Sequence, residues 1–333
     1  MDIFLAGGTG SFGCKFIERI YKAQKYQRNY LIEKVYIYSR DEKKQYDLRE
    51  KYFNWNYFSF IIGDIRDKER LEQVFPKNID VVINAAALKH VPQCEIYPIE
   101  AIKTNVLGAF NLMEISKKFK VKKYLAISTD KACKPINTYG LTKALQEKLV
   151  IASNFDKANT LFSCVRYGNV MNSRGSVIPL FVEKAKLNQS LPVTSEEMTR
   201  FLMTLDDSVD LILFALKEMK GGEIFVYKAK SCRIIDLASA IIKKYGSCSD
   251  IEIIGIRPGE KINEELISIS EASITKNLSD KFACIYPQSE IKFNNKPYNY
   301  SSDQYLELDI DKLIKIISKV IGEKQYEFEI QFS

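Results

Sequence analysis

The chain holds a single histidine, His90, and its seven cysteines form no CxxC pair. One histidine argues against histidine-built metal sites, serine–histidine–aspartate triads and histidine-mediated proton transfer, so no metal is expected. An odd, scattered set of cysteines reads as reduced packing residues of a cytoplasmic, reducing compartment rather than a disulfide framework. No signal-peptide pattern opens the chain and no apolar run reaches the length of about 18 residues that a membrane span needs. Neither export by that route nor membrane insertion is expected. Charge of one sign is also lacking: 49 Lys and Arg against 42 Asp and Glu leave a net charge of only +7, dispersed along the chain. The densest basic stretch, "KKFKVKK" (117–123), falls where a helix C-terminus favours cations anyway. No nucleic-acid partner is expected. Internal repeats, low-complexity linkers and heptads are absent as well.

What is present is an ordinary globular composition, 46% hydrophobic and 27% charged over 333 residues, enough to bury a real core. Short apolar runs alternate with helical patterns. "IFLA", "KVYIYS", "YFSFIIG", "DVVINAA", "KYLAIST" and "TLFSCVRYG" read as strands. "FGCKFIERIYKA" and the stretches 98–118 and 138–154 read as helices. Continuous apolar strands separated by helices predict an α/β fold, a Rossmann-like doubly wound parallel sheet. After residue 170 the alternation loosens. "SVIPLFVEKAKLN", "DDSVDLILFALKEM" and "RIIDLASAIIKKYG" read as helices, "GEIFVYKA" and "IEIIGI" as strands. We therefore expect a nucleotide-binding unit over 1–170 and a smaller substrate-binding lobe over 171–333, partly interleaved with the sheet.

"LAGGTGSFGCKF" sets Gly7, Gly10 and Gly13 at GxxGxxG spacing between the first strand and the first helix. Glycines there allow a tight turn and close backbone approach to a pyrophosphate, and the helix N-terminus supplies N–H donors. At the end of the second strand, where an acidic residue would hold the ribose of NAD, stand Ser39, Arg40 and Lys43. A guanidinium forks onto a 2′-phosphate, which favours NADP; the alternative is a surface arginine paired with Asp41 or Glu42. Asp64 in "GDIRD" is placed to hold an adenine amino group, and Ala85, Ala86 and Ala87 in "NAAA" are small enough for cofactor to lie against backbone.

The stretch "STDKACKPINTYGLTK" (128–143) carries Tyr139 and Lys143 four apart, on one face of a helix that Asn137 or Thr138 can cap. A free tyrosine titrates at about 10, and a nearby ammonium stabilises its phenolate as a base. Thr129 lies ten residues upstream of the tyrosine. Asp130 and Lys131 beside it can divide acid and base roles, provided that Lys131 sits where it can be partly neutral. The plainer reading is a turn-capping aspartate and a lysine paired with a carboxylate.

Together these words resemble the extended short-chain dehydrogenase/reductases, and within them the inverting UDP-N-acetylglucosamine 4,6-dehydratases. The resemblance rests on "GGTGSFG", "YSRDEKKQ", "GDIRDKERL", "AAALKHVP", "IKTNVLGA", "STDKA", "RYGNV", "SRGSVIPLF", "MTRF", "GGEIFVYK" and "IIGIRPGEK", in family order from residue 6 to about 270. It implies a tightly held NADP recycled within each turnover, with Thr9, Ser11, Phe12, Ile65, Lys89, Asn105 and Val170 joining the cofactor set. It implies that Tyr139, helped by Thr129 and Lys143, takes the proton of the sugar 4-hydroxyl. Lys131 would be the base for C5, and Asp130 the acid for the departing 6-hydroxyl. Lys89, Asn169, Val177, Ile178, Pro179, Phe181, Arg200, Arg257 and Glu260 would hold the UDP-sugar, and a homo-oligomer is expected. A UDP-sugar 4-epimerase, which needs neither Asp130 nor Lys131, and a silent NADP-binding module are the competing readings. The stretch 271–300 departs from the family pattern.

Overall fold

The computed structural model describes residues 1–26, 32–53, 55–156, 159–173, 175–287, 293 and 298–322. Arg174, inside the matched word "SRGSVIPLF", lies outside these. The expected alternation is present from the first residue. It runs β1 (Asp2–Ala6), α1 (Ser11–Tyr26), β2 (Lys34–Ser39), α2 (Glu42–Lys51), β3 (Phe58–Ile62), α3 (Lys68–Val74) and β4 (Val81–Asn84). Then come α4 (Val91–Ile96), α5 (Pro98–Ile102), a π-helical run (Lys103–Gly108) and α6 (Ala109–Lys118). β5 (Lys123–Ile127), α7 (Thr138–Ala152) and β6 (Leu161–Arg166) complete this part. The single helix expected over 98–118 is thus three consecutive pieces.

The remainder holds β7 (Asn169–Val170), α8 (Val177–Lys186), β8 (Leu191–Val193), β9 (Thr199–Met203), α9 (Leu205–Glu218), β10 (Ile224–Tyr227) and β11 (Lys230–Arg233). It continues with α10 (Ile234–Tyr245), β12 (Ile251–Ile253), β13 (Glu265–Ile267), α11 (Ile269–Ala272), β14 (Thr275–Asn277), β15 (Phe282–Ile285), β16 (Tyr300–Ser301) and α12 (Ile310–Gly322). "IEIIGI" forms a strand only over its first three residues, an exposed partner of β8.

Helix starts follow their capping residues, whose side-chain oxygens accept otherwise orphaned amides. Asp41 accepts from the Lys44 amide, Asp67 from Arg70 and Asn137 from Gly140. Thr204 and Asp207 close a capping box on α9. The nine-stranded sheet has the order β14-β15-β10-β6-β5-β4-β1-β2-β3. The seven strands from β10 to β3 are parallel, and β15 is antiparallel to β10. Strand order reverses between β1 and β4, and ligands of such sheets bind at that switch point, outside the carboxyl ends of the strands.

One face of the sheet packs a core around Phe4, Leu112, Tyr124 and Phe162; the other packs Phe16, Ile37, Leu125 and Leu211. A third core, around Phe181, Leu237, Leu313 and Ile317, lies under α8, α10 and α12. Exposed apolar side chains gather on α4, α5, the π-helical run, α6 and α7: Ile96, Ile99, Leu107, Phe110, Leu141 and Leu145.

Candidate active site

The glycine turn after β1 sits against the end of β4. Gly7 adopts φ 78°, and a Cβ there would lie 2.7 Å from the backbone of Ala85 and Ala86. A Cβ on Gly13 would come within 2.2 Å of the Gly8 oxygen. Only glycine permits this approach, which brings the N-terminus of α1, at Ser11 and Phe12, to the switch point. Gly10 closes the turn by donating to the Gly7 carbonyl at 3.0 Å, and Thr9 is buried beneath it. A side-chain-free cradle facing a helix N-terminus fits the diphosphate of a dinucleotide.

At the end of β2, Ser39 is buried and Arg40 is exposed. Gln45 donates from Nε2 to the Ser39 hydroxyl and carbonyl, both at 3.0 Å, and to the Ile61 carbonyl at 2.8 Å. Receiving that bond, the Ser39 hydroxyl has its own hydrogen to donate outward. Arg40 Nη1 lies 3.4 Å from Asp64 Oδ2. Lys43 pairs with Asp47 one turn on. Asp64 is partly buried, which opposes its charge, yet hydrogen bonds from Arg66 hold its carboxyl below the usual range. Ile65 is buried beside it.

The catalytic stretch spans the end of β5, a single 3₁₀ turn (Asp130–Ala132) and the start of α7. Asp130 is fully buried. Its Oδ1 accepts from the Thr129 hydroxyl at 2.9 Å and from Lys131 Nζ at 3.0 Å, while Oδ2 has no hydrogen-bond partner. Lys131 Nζ also lies 3.2 Å from Glu264 Oε1 and donates to Asn169 Oδ1 at 3.3 Å. Burial disfavours the Lys131 ammonium, but Asp130 and Glu264 outweigh it and raise its pKa. The partly neutral lysine expected from the sequence is therefore not the ligand-free state.

Burial pushes Tyr139 up to about 12, opposed by the Lys131 charge and by a hydrogen bond with Thr129. Lys143, on the same helix face, donates to the Ile127 carbonyl at 2.5 Å and to Gln146 Oε1, and burial lowers its own pKa to about 8. The i, i+4 relation set the shared helix face; the local acceptors set where the amine points.

Other expected residues divide. Lys89 Nζ lies 3.5 Å from Ser173 Oγ at the rim, and Ala87 and Val170 are half-buried beside the cleft strands. Asn105, expected at the cofactor, is fully buried. Its amide donates to the Leu88 carbonyl and Thr142 Oγ1, and its oxygen accepts from the Leu88 amide. These bonds fix the loop after β4. Ile178 and Phe181, expected at the substrate, stand three apart in α8 and pack inward with Met171, Leu202 and Leu237, leaving Val177 and Pro179 half-exposed. Arg200 is buried, donating to the carbonyls of Thr199, Lys261 and Ile262. Arg257 is exposed, and Glu260 accepts from its amide at 3.4 Å.

Two groups of residues escaped the sequence reading. Glu264 is buried against Lys131. Arg166, also buried, binds Glu147 of α7 through Nε and Nη2 at 3.0 and 2.7 Å, and Glu271 of α11 at 3.0 and 3.1 Å. This ion network ties β6, α7 and α11 together beneath the catalytic turn.

A doubly wound sheet with a glycine cradle at its switch point, and a Tyr-x-x-x-Lys helix following β5, defines an extended short-chain dehydrogenase/reductase. The chain belongs to the family described as polysaccharide biosynthesis protein, whose profile matches residues 3–286. It is 44% identical over 285 residues to a UDP-N-acetylglucosamine 4,6-dehydratase (inverting) of Campylobacter jejuni, covering 85% of this chain and 82% of that protein. It is 45% identical over 282 residues to a UDP-glucose 4-epimerase of Rickettsia canadensis, covering 84% and 81%. Among solved structures, Pen from Bacillus thuringiensis superposes with a TM-score of 0.88 at 34% identity, covering 96% and 97%. The protein is thus an enzyme of the NAD(P)-dependent nucleotide-sugar dehydratase and epimerase group. Among its described residues, no helix is long and apolar enough to cross a membrane.

Proposed function

We propose that the protein is an inverting 4,6-dehydratase of UDP-N-acetylglucosamine that uses NADP. The observation that carries this reading is the Asp130–Lys131 contact of 3.0 Å, buried beside Thr129 and Tyr139. Moving a sugar 4-hydroxyl hydrogen out and back, as an epimerase does, needs the tyrosine but no second acid–base pair. Eliminating water from C5 and C6 needs both a base and an acid, and this pair offers them side by side.

When bound, NADP supplies acceptance of hydride from C4 and its return to C6. Tyr139 takes the 4-hydroxyl proton, with Thr129 fixing its oxygen. The ketone then acidifies C5–H, Lys131 removes that proton, and Asp130 protonates the departing 6-hydroxyl. Return of a proton to the opposite face of C5 inverts it. Arg40 and the outward-donating Ser39 hydroxyl favour a 2′-phosphate over a bare hydroxyl. To holding the UDP-sugar we assign Asn169, Val177, Pro179, Lys89, Arg257 and Glu260.

The test is incubation of the protein with UDP-N-acetylglucosamine in deuterated water, followed by NMR. A 6-deoxy-4-keto sugar with deuterium at C5 is expected. Formation of the C4 epimer without loss of water would overturn the reading in favour of an epimerase, and absence of any turnover would favour a binding module.

A further inference from the structure

Glu264 stands directly before β13, whose pairing with β16 anchors it, and the Glu264 amide also donates to Ser302 Oγ at 2.9 Å. The segment 259–265 is fastened to the catalytic turn along its length. The Gly259 carbonyl accepts from Asn137 at 2.7 Å, Lys261 Nζ donates to the Cys133 carbonyl at 2.7 Å, and Glu265 pairs with Lys134. Within that fastening the Glu264 carboxylate is buried, with Oε1 at 3.2 Å from Lys131 Nζ. Its Oε2 has no hydrogen-bond partner, and Lys261 Nζ is 3.8 Å away. A buried carboxylate left half-satisfied is an expensive feature for mere packing.

We propose that Glu264 is a positioning residue for the elimination step: a fixed negative charge that strengthens Lys131 as the base for C5–H. This rests on the dehydratase reading and deepens it. Before the step, Lys131 is a neutral amine and Asp130 a neutral acid, a state reached by moving one proton across their 3.0 Å hydrogen bond. In the step the C5–H bond breaks and its proton goes to the Lys131 lone pair. The C5 electrons form the C5–C6 double bond, and the C6–O bond breaks. The oxygen leaves as water with the proton of Asp130. Lys131 ends as an ammonium and Asp130 as a carboxylate. A fixed carboxylate 3.2 Å from the developing ammonium acts where charge appears in the transition state.

The groups facing Lys131 are Asp130 on its own turn, Tyr139 from α7, Arg200 from β9, Asn169 from β7 and Glu264. Arg200 opposes both carboxylates, and Lys261 faces Glu264 from the same segment. Of the two carboxylates on Lys131, only Glu264 is not itself needed as an acid.

The experiment measures kcat against pH for the holoenzyme with UDP-N-acetylglucosamine, as wild type, Glu264→Gln and Glu264→Asp. A weaker base titrates lower and works more slowly. We expect Glu264→Gln to move the acidic limb down by about one pH unit. Glu264→Asp, which keeps the charge, should fall between it and wild type. A limb that stays in place, or an aspartate variant displaced further than the glutamine one, would assign Glu264 to packing alone and overturn the proposal. If wild type yields only a C4 epimer, the dehydratase reading fails by itself. Titration of 15N-labelled lysine then decides the electrostatic coupling: equal Lys131 values in wild type and Glu264→Gln overturn it.

Discussion

Lys131 and Lys143 share one site and are pushed in opposite directions. Lys143 is the more buried, and its Nζ hydrogen-bonds neutral acceptors, the Ile127 carbonyl and the Gln146 amide oxygen, with the Glu147 charge too weak to offset burial. Burial prevails there and brings its pKa to about 8. Lys131 is also penalised by burial, but carboxylates at 3.0 and 3.2 Å reverse the outcome and raise it. Desolvation alone therefore does not decide whether a buried lysine keeps its proton. The charge of the atoms about 3 Å away decides it. One lysine can release a proton near neutrality, whereas the other needs its proton moved onto Asp130 before it can act.

The largest test of this contrast is Lys131→Met. It removes the base while leaving the glycine cradle and Tyr139 in place, so dehydration should fall by about 10²–10⁴-fold, the usual worth of a general base. NADP binding, followed by fluorescence, should persist. Unchanged formation of the 6-deoxy-4-keto product would remove Lys131 from the chemistry.

Lys143→Met tests the other side through stability. The folded value of about 8 lies below the ordinary 10.5, so the unfolded chain binds more protons between those values. Stability gained from relieving this lysine therefore grows as pH rises from about 8 towards 10.5 and is missing below 8. Relative to Lys143→Met, wild type should gain at most about 3 kcal/mol across that window. Urea denaturation at pH 7 and pH 10 reads the difference. Lys131, with its pKa raised, should give a wild type to Lys131→Met difference that is flat over the same window. Parallel pH profiles for wild type and both variants would erase the contrast.

The legible parts of this site are local in sequence. The glycine turn, the Asp-Lys pair and the Tyr-x-x-x-Lys helix each lie within one strand–helix junction, so spacing alone reports their geometry. What was not legible depends on residues far apart. Glu264 meets Lys131 across 133 positions and Glu271 meets Arg166 across 105, and no local pattern marks either carboxylate as a partner of these cations. Within "GSVIPLF", Ile178 and Phe181 sit one turn apart on the inward face of α8 and pack into its core, a burial that the word itself does not mark.

The smallest expected effect concerns an exposed cation, and it sharpens the comparison with the two buried ones. Arg40 stands in solvent at the end of β2, 3.4 Å from Asp64. Its ion pair is screened by water, so it adds little to stability. A 2′-phosphate would give the guanidinium a doubly charged, forked partner that a bare ribose hydroxyl does not offer. Arg40→Ala should therefore leave the thermal midpoint within about 1 °C, consistent with a surface change below about 0.5 kcal/mol. The ratio of NADP to NAD affinity, measured by calorimetry, should fall about tenfold, the lower end for a charged hydrogen bond made at the surface. An unchanged ratio would leave cofactor choice to Ser39, whose hydroxyl accepts from Gln45 and keeps its own hydrogen to donate. Gln45→Leu would then be the variant that lowers the ratio, because it frees Ser39 to turn its hydrogen inward.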